Sequence, residues 1–291
     1  MKVKDLLNQA RIELEAKNIK SAWLDPQVLL AHLFSREKEY LHIHPDKEVG
    51  KKIEEKYFQL IKKRGQGEPL AYLTGKKEFY GLEFSVGKGV LIPRPESELI
   101  IEEILNLDLT KYSSLNLIDV GTGSGCLVIT LAKSLTGLKN IAFRGIDKYN
   151  QPLKYARENA RKHQQKNIKF IKSSLLEHFL KTPKELKEFN LITANLPYLT
   201  PEQFSREESI QKEPQTSLIS PEKGLAHYKE LFRQLARLKS AKPEAKFLIY
   251  CEINPEQVKD LKKCSQKILK IKDLQIKKDL SGLDRLVILK V

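Results

Sequence analysis

A glycine-rich segment is the first part of the sequence whose residues are spaced for chemistry. Residues 119–125 read Asp-Val-Gly-Thr-Gly-Ser-Gly, after a short apolar run and before a run of helical periodicity. Glycines at a strand-to-helix turn let the backbone approach a ligand, and the start of a helix offers unpaired N–H groups. The dinucleotide pattern G-x-G-x-x-G requires glycine at position 126, where Cys126 stands. This departure favours a nucleoside cofactor that lacks a pyrophosphate. The residues expected to hold it are Gly121, Thr122, Gly123, Ser124 and Gly125.

A carboxylate, Asp147, closes the next predicted strand. The carboxyl ends of parallel strands meet at one edge of a sheet, so Asp147 is expected beside the glycine loop. A carboxylate there can accept both hydrogen bonds from a ribose diol. A plain strand-to-helix turn would explain the glycine loop alone, but it would not explain this partner. Together the two features predict S-adenosylmethionine (AdoMet) as the cofactor, with Asp147 binding its ribose.

The tetrapeptide Asn195-Leu196-Pro197-Tyr198 directly follows a further predicted strand. A planar amide or base amine is a poor nucleophile, because its lone pair is delocalised. The Asn195 side-chain oxygen and the Leu196 carbonyl could accept hydrogen bonds from the two N–H groups of such a nitrogen. They could also stabilise the positive charge that develops on it during the reaction. Pro197 stiffens the loop, and Tyr198 offers a flat face for the planar group. These four residues are the candidate catalytic and substrate-binding residues, and Asn195 is also expected beside the cofactor. An ordinary loop turn is the alternative, since Asn and Pro are common in turns.

Apolar periodicity predicts the elements that position these residues. Up to about residue 75 the spacing is helical, and residues 82–86 then alternate with period two among glycines, which predicts a hairpin. From residue 115 onward, short apolar runs alternate with helical stretches, as in a parallel α/β sheet. The predicted strands are 115–120, 141–146, 168–171, 189–194, 246–252, 274–278 and 285–290, and the predicted helices are 127–135, 152–163, 227–238 and 255–270.

The composition is that of a globular protein of a reducing compartment. The chain has 291 residues, of which 41% are hydrophobic and 31% charged. It has no apolar run of the roughly 18 residues that a membrane span needs, and its first residues lack the apolar region of a secretion signal and are expected to form a helix. Three cysteines cannot form a disulfide framework, so a cytoplasmic location is expected. The net charge of +15 favours polyanionic neighbours such as RNA, although lysine-rich surfaces also keep proteins soluble.

Other conspicuous side chains have ordinary interpretations. His42 and His44 lack partners at metal-ligand spacing, and no metal site is predicted. Trp23, the single tryptophan, is expected to anchor the helical region. Arg94 is expected either near the cofactor or in a structural salt bridge.

Several segments resemble the release factor glutamine N5-methyltransferases (PrmC/HemK family), which are class I AdoMet-dependent methyltransferases. Residues 68–75 with 78–80 are similar to the interdomain signature of that family. Residues 92–98, Ile-Pro-Arg-Pro-Glu-Ser-Glu, resemble its I-P-R-P-[DE]-[ST]-E segment. Residues 119–125 are similar to its glycine loop, and residues 278–285 to its C-terminal K-D-x-x-G-x-D-R.

The resemblance implies a domain organisation and a reaction. The domains are a helical substrate-recognition domain over residues 1–75, a β-hairpin linker over 76–93 and a seven-stranded, Rossmann-like methyltransferase domain over 94–291. The implied reaction is methylation of the glutamine N5 in the Gly-Gly-Gln motif of class 1 peptide chain release factors. S-adenosylhomocysteine would be the second product, and the release factor would be the protein partner.

Two segments depart from the family pattern. Leu196 replaces the first proline of Asn-Pro-Pro-Tyr, which keeps the backbone carbonyl but adds an N–H. Residues 173–176, Ser-Ser-Leu-Leu, stand where the family tends to show Ser-Asp-Trp-Phe, so its acid and aromatic residues are absent and Leu175 is expected to cover the adenine. Asn-Leu-Pro-Tyr also occurs in rRNA adenine dimethyltransferases. The open alternatives are a ribosomal-protein glutamine methyltransferase, an RNA or DNA adenine N6-methyltransferase, and an RNA- or ribosome-binding protein with a vestigial cofactor site.

Overall fold

Apolar residues at helical spacing build a small core at the start of the chain. The helices there are α1 (Val3–Glu15), α2 (Asp25–Phe34), α3 (Glu39–Ile43), α4 (Lys51–Gly65) and α5 (Leu70–Thr74). Leu6, Leu30 and Tyr57 are fully buried between them. The buried Asp25 carboxylate accepts a hydrogen bond of 2.6 Å from Arg64 Nε, which ties α2 to α4. The computed structural model describes residues 1–291 and divides into two units, one of residues 1–76 with 207–212, the other of residues 77–206 with 213–291.

Trp23 lies on the surface of the helical unit, with 69% of the residue exposed. The expectation that it anchors this unit is wrong. The core of this unit is formed by Tyr57 with aliphatic residues of α1, α2 and α4, and Trp23 is not among its members. The Arg11 guanidinium lies 5.7 Å from the centre of the Trp23 ring instead.

The period-two pattern forms a two-stranded hairpin of β1 (Lys76–Phe79) and β2 (Leu82–Ser85). Its turn residues, Tyr80 and Gly81, both have positive φ angles of 50° and 70°. Two left-handed residues give the turn twist that matches paired strands. The Asn159 side chain bonds both the N–H and the carbonyl of Ser85, and its Nδ2 also donates to the Ser124 carbonyl at 2.9 Å. The hairpin is therefore linked directly to the glycine-rich segment.

Seven strands form the central sheet of the larger unit, as predicted. They are β3 (Leu115–Val120), β4 (Ile141–Asp147), β5 (Ile168–Lys172), β6 (Phe189–Ala194), β7 (Lys246–Glu252), β8 (Asp273–Lys278) and β9 (Asp284–Lys290), in the spatial order β5-β4-β3-β6-β7-β9-β8. The first five are parallel, and β9 pairs antiparallel with both β7 and β8. Val120 is in register with Ile146 on one side and with Ala194 on the other. Residues 121, 147 and 195 therefore leave the sheet at the same edge.

Helices cover both faces of this sheet. They are α6 (Glu98–Leu105), α7 (Cys126–Ser134), α8 (Asn150–Lys162), α9 (Glu177–Lys181), α10 (Pro201–Arg206), α11 (Pro221–Gly224), α12 (Ala226–Ala241) and α13 (Val258–Ile268). One apolar core centres on Ile101, Val128 and Phe143, and the other on Tyr228 and Phe232. None of the helices in the chain is both long enough and apolar enough to cross a lipid bilayer.

Candidate active site

A cavity of about 380 Å³ opens at the carboxyl edge of the parallel strands. This volume lies in the range of small-molecule sites. The predicted residues that line it are Gly121, Thr122, Gly123, Ser124, Asp147, Leu175, Asn195, Leu196 and Pro197. Gly125 and Tyr198 are not among the lining residues. The structure therefore brings the glycine loop, the carboxylate and the Asn-Leu-Pro segment together around one space.

The glycine loop closes tightly over the end of β3. The N–H groups of Gly121 and Thr122 both donate to the Ile146 carbonyl at 2.8 Å. Gly121 has a φ of 74°, and a β-carbon added there would lie 3.1 Å from Leu196 Cδ2. Glycine is favoured at this position because its φ is left-handed, and the close approach of the Leu196 side chain adds to the preference.

Gly125 has a packing role behind the loop. Its φ is 82°, and a β-carbon added there would lie 2.8 Å from Ile129 Cδ1 and 3.2 Å from the Ala156 side chain. Its small size lets α7 approach α8. Contact of Gly125 with a cofactor stays a prediction.

Asp119 anchors the loop from below without reaching the cavity. Its carboxylate accepts hydrogen bonds of 2.7 Å from the hydroxyls of Thr122 and Thr193. It is 1% exposed, and this burial raises its pKa to about 6 despite the two donors. Asp119 therefore fixes the glycine loop against β6, the strand that delivers Asn195.

Asp147 lies at the cavity wall. It accepts the Gly123 N–H at 3.2 Å and the Tyr149 N–H at 2.9 Å. Burial raises its pKa, and these backbone donors oppose the shift. The remaining lone pairs of the carboxylate are suited to a diol, which needs acceptors within reach of two hydroxyl groups.

Asn195 and Leu196 present acceptor oxygens that no protein group uses. Asn195 Nδ2 donates to Ser97 Oγ at 2.9 Å, while its Oδ1 receives no hydrogen bond from the protein. The Leu196 N–H, which proline would lack, donates to the Tyr228 hydroxyl at 3.4 Å. This hydroxyl also lies 3.0 Å from the Ala194 carbonyl. The additional N–H of Leu196 is thus satisfied inside the protein, and the Leu196 carbonyl keeps its lone pairs.

Tyr198 turns inward rather than to the cavity. Its hydroxyl donates to Glu252 Oε1 at 3.3 Å, and its carbonyl accepts Gln257 Nε2 at 2.8 Å. Burial raises the pKa of the Tyr198 phenol above its usual value. Tyr198 therefore does not line the cavity, although it bonds the same Glu252 that Ser97 bonds, and stacking on a substrate stays a prediction.

Gly224 supports the same loop through close packing. Its φ is 82°, and a β-carbon there would lie 2.0 Å from the Tyr198 carbonyl oxygen and 2.1 Å from Gln257 Nε2. We expect Gly224→Ala to lower the free energy of unfolding by roughly 2–4 kcal/mol, through the clash and the left-handed backbone. Thermal denaturation should show a melting temperature lower by about 5 °C or more. Gly137→Ala is the matched control, because nothing lies within 4 Å of its β-carbon position. Equal melting temperatures for the two variants would contradict this reading of the packing.

Sequence reasoning missed several residues of the cavity. They are Leu91, Pro93, Ser97, Cys126, Leu127, Lys148, Tyr149, Ser174, Thr216, Ser217, Pro221, Ala226, His227 and Glu230. Pro93 and Ser97 belong to the Ile-Pro-Arg-Pro-Glu-Ser-Glu segment, which did signal a function but not a contact. The stretch from Thr216 to Glu230 contains Lys223-Gly224-Leu225, which with Glu213-Pro214 resembles an E-P…G-L stretch of the PrmC/HemK family, but that resemblance assigned none of its residues to a site.

Arg94 forms the structural salt bridge that was one of its two expected roles, and its place near the cofactor stays a prediction. It lines the cavity, and its guanidinium also forms an ion pair with the Glu213 carboxylate. Glu213 is 4% exposed and accepts the Ile92 N–H at 3.0 Å. The ion pair therefore attaches the 92–98 segment to the loop that carries Glu213.

His227 lines the cavity. Burial lowers its pKa, and nearby Lys148 lowers it further. Its Nδ1 lies 2.8 Å from Ser220 Oγ.

The described residues contain no group of three or more His, Cys, Asp or Glu side chains arranged to hold a metal ion.

Comparison with known proteins agrees with the two-part organisation. Residues 5–75 match the PrmC N-terminal domain, and residues 111–275 match a methyltransferase domain. The latter domain implies use of AdoMet. Among solved structures, the hMettl16 catalytic domain in complex with a 3′UTR hairpin aligns with a TM-score of 0.52 and 15% identity, covering 90% of each chain. The delta-N METTL16 MTase domain aligns with a TM-score of 0.51 and 16% identity, covering 72% of this chain and 88% of that one. At such identities these structures support the fold only, and it is that of the class I methyltransferases.

Curated relatives align over most of the sequence. The release factor glutamine methyltransferase of Clostridium botulinum is 33% identical, over 80% of this chain and 81% of its own. That of Thermodesulfovibrio yellowstonii is 30% identical, over 99% and 96%. That of Leptospira interrogans is 33% identical, over 98% and 96% of the two chains. With this identity over almost its full length, and with a cavity formed by the motifs that suggested the resemblance, the chain belongs to the release factor glutamine methyltransferase family.

Proposed function

We propose that the protein methylates the N5 nitrogen of the glutamine in the Gly-Gly-Gln motif of class 1 peptide chain release factors, with AdoMet as donor. One observation carries the proposal. Asn195 and Leu196, whose Oδ1 and carbonyl oxygen receive no hydrogen bond from the protein, line the same cavity as the glycine loop and Asp147. An acceptor amide and a methyl donor would therefore meet within one cavity.

The cofactor side of the cavity fits AdoMet by its donor and acceptor set. Asp147 would hold the ribose diol, and the backbone of residues 121–124 would pass against the nucleoside. Leu175, a cavity residue with a positive φ of 49°, would cover the adenine with its aliphatic side chain. Such a left-handed leucine is uncommon, and backbone strain of this kind is concentrated at functional sites. AdoMet supplies an electrophilic methyl group on its sulfonium sulfur.

On the substrate side, this chain's residues would orient a carboxamide. Asn195 Oδ1 and the Leu196 carbonyl would accept hydrogen bonds from its two N–H groups. These two hydrogen bonds would turn the nitrogen lone pair towards the methyl group. Both oxygens would stabilise the charge that grows on nitrogen as the N–C bond forms. As the N–C bond forms, the bond between the methyl group and the sulfonium sulfur would break with its electron pair going to sulfur, which gives S-adenosylhomocysteine, and the surplus N–H proton would pass to solvent water. Pro197 limits the conformations of the loop that holds both acceptors.

The protein substrate is proposed from the named activity of the relatives. We propose that residues 1–75 recognise the release factor, that 76–93 link, and that 94–291 carry out the transfer in the cytoplasm, where release factors act. A ribosomal-protein glutamine would fit the same two acceptors, and so would an adenine N6 amine. RNA as a partner is supported only by the net charge of +15.

A methylation assay separates these substrates. The protein would be incubated with methyl-labelled AdoMet and one of four acceptors: a class 1 release factor, its Gly-Gly-Gln variant with alanine for glutamine, ribosomal protein, or rRNA. We expect label in the intact release factor and about background label in the other three. Equal labelling of the two release factors, or label in RNA or ribosomal protein alone, would overturn the proposal.

A further inference from the structure

Ser97 and Glu252 lie behind Asn195, and Ser97 connects the Asn195 side-chain amide to the buried carboxyl group of Glu252. We propose that Ser97 and Glu252 hold the Asn195 side chain with its Oδ1 towards the substrate, and that Glu252 does so only as a carboxylate. Both are positioning residues. The inference rests on the proposed function, because it explains how the acceptor oxygen of that site is oriented.

The geometry is a continuous chain of hydrogen bonds. Asn195 Nδ2 donates to Ser97 Oγ at 2.9 Å, and Ser97 Oγ donates to Glu252 Oε2 at 2.5 Å. Ser97 is 2% exposed and Glu252 is 1% exposed, so water cannot replace either contact easily. Ser97 lines the cavity, whereas Glu252 does not line it and lies behind Ser97.

The polarity of this chain depends on the charge of Glu252. An ionised carboxylate only accepts hydrogen bonds, so the Ser97 hydroxyl must donate to it. The Ser97 oxygen then has only lone pairs to offer Asn195, and only the Nδ2 end of the amide can meet them. Oδ1 must therefore face the other way, where the substrate N–H groups would lie.

Protonation of Glu252 removes this constraint. A carboxylic acid can donate its own proton to Ser97 Oγ, and the serine hydroxyl is then free to donate to Asn195 Oδ1. The amide could rotate and present Nδ2 to the cavity, where it would oppose the N–H groups of a glutamine. A pocket with donors facing donors does not bind or activate that substrate.

The surroundings of Glu252 place this switch in an accessible pH range. Burial raises the pKa of Glu252 to about 7, against the opposing effects of the Ser97 hydroxyl and the Arg285 cation. Glu96 raises it further, and the Tyr198 hydroxyl lowers it. Cys126 of α7 and Tyr228 of α12 also face Glu252, and both stay neutral because burial raises their pKa values. The orienting carboxylate is thus present above pH 7 and is lost as the pH falls through 7.

Steady-state kinetics test the inference on the full-length protein. With saturating AdoMet and release factor, kcat should fall about tenfold from pH 8 to pH 6, as the ionised fraction of a group titrating near pH 7 does. Glu252→Gln and Ser97→Ala should both remove this pH dependence and lower kcat at pH 8. Ser97→Thr retains the hydroxyl and should retain the profile. Glu244→Gln, at an exposed glutamate, is the matched control.

The hydrogen-bond chain from Asn195 through Ser97 to Glu252 is called the relay below. A measurement that needs no substrate separates failure of the relay from failure of the proposed function. In protein labelled with ¹⁵N-asparagine, the Asn195 side-chain signals, assigned by their loss in Asn195→Ala, should shift with a midpoint near pH 7. The shift should vanish in Glu252→Gln and in Ser97→Ala. Signals that do not change between pH 6 and 8 in the wild type would overturn the relay, whether or not release factor is methylated. Signals that titrate in a protein inactive on release factor would leave the relay supported and the proposed function wrong.

Discussion

Asn195→Ala is expected to reduce kcat for release factor methylation by about a hundredfold or more. Loss of one positioned group that stabilises developing charge has effects of this size. The substitution removes Oδ1, the acceptor without any protein donor, and leaves the Leu196 carbonyl alone to hold the amide. Ser97 keeps its bond to Glu252, so the wall behind Asn195 stays hydrogen-bonded.

Separate measurements of turnover and cofactor affinity decide this prediction. AdoMet affinity, measured by calorimetry without release factor, should change only modestly, because Asn195 acts on the acceptor. Asn167→Ala, at an exposed asparagine of the same unit, is the control and should match the wild type in both measurements. Unchanged turnover in Asn195→Ala would exclude Asn195 from the mechanism.

Asp147→Ala is expected to weaken AdoMet binding by about tenfold to a hundredfold. A carboxylate that accepts a diol contributes charge-assisted hydrogen bonds of about 1.5–3 kcal/mol each, and part of this is offset by the cost of desolvating the carboxylate. The substitution also removes the bonds from the Gly123 and Tyr149 N–H groups, which loosens the glycine loop. Turnover at saturating AdoMet should fall less than affinity does.

Calorimetric titration with AdoMet measures this effect directly. Asp260→Ala, which removes an exposed carboxylate from the first turn of α13, should bind AdoMet as the wild type does. Equal dissociation constants for Asp147→Ala and the wild type would refute the ribose-binding role. A loss of affinity accompanied by a lower melting temperature would instead point to collapse of the glycine loop.

Most of the fold could be predicted because its signals are local. Strands Leu115–Val120, Phe189–Ala194 and Lys246–Glu252 have the predicted bounds, since each is a short buried apolar run between polar residues. Helix bounds were less accurate: the predicted helix 255–270 is a 3₁₀ turn, Pro255–Gln257, followed by Val258–Ile268. Such ends depend on capping and tertiary contacts, here the Asn254 side chain that accepts the Glu256 N–H.

The gathering of the candidate residues at one sheet edge could be predicted for a related reason. A strand that ends in a motif places that motif at the sheet edge, so nine of the predicted residues line one cavity. Whether a side chain then points inward or outward depends on distant partners. Tyr198 turns away from the cavity because its hydroxyl donates a hydrogen bond to Glu252. Gly125 lies behind the glycine loop because α8 packs against it.

From residue types and their order alone follow the alternating α/β plan, the family and the groups that can hold a nucleoside and a planar amide. The folded chain alone decides which of those groups face one another. Ser97 meets Asn195 across 98 positions and Glu252 across 155, and Arg94 meets Glu213 across 119. No local pattern encodes such pairs, because they form only when the sheet register and the packing of the layers bring distant segments to the same edge.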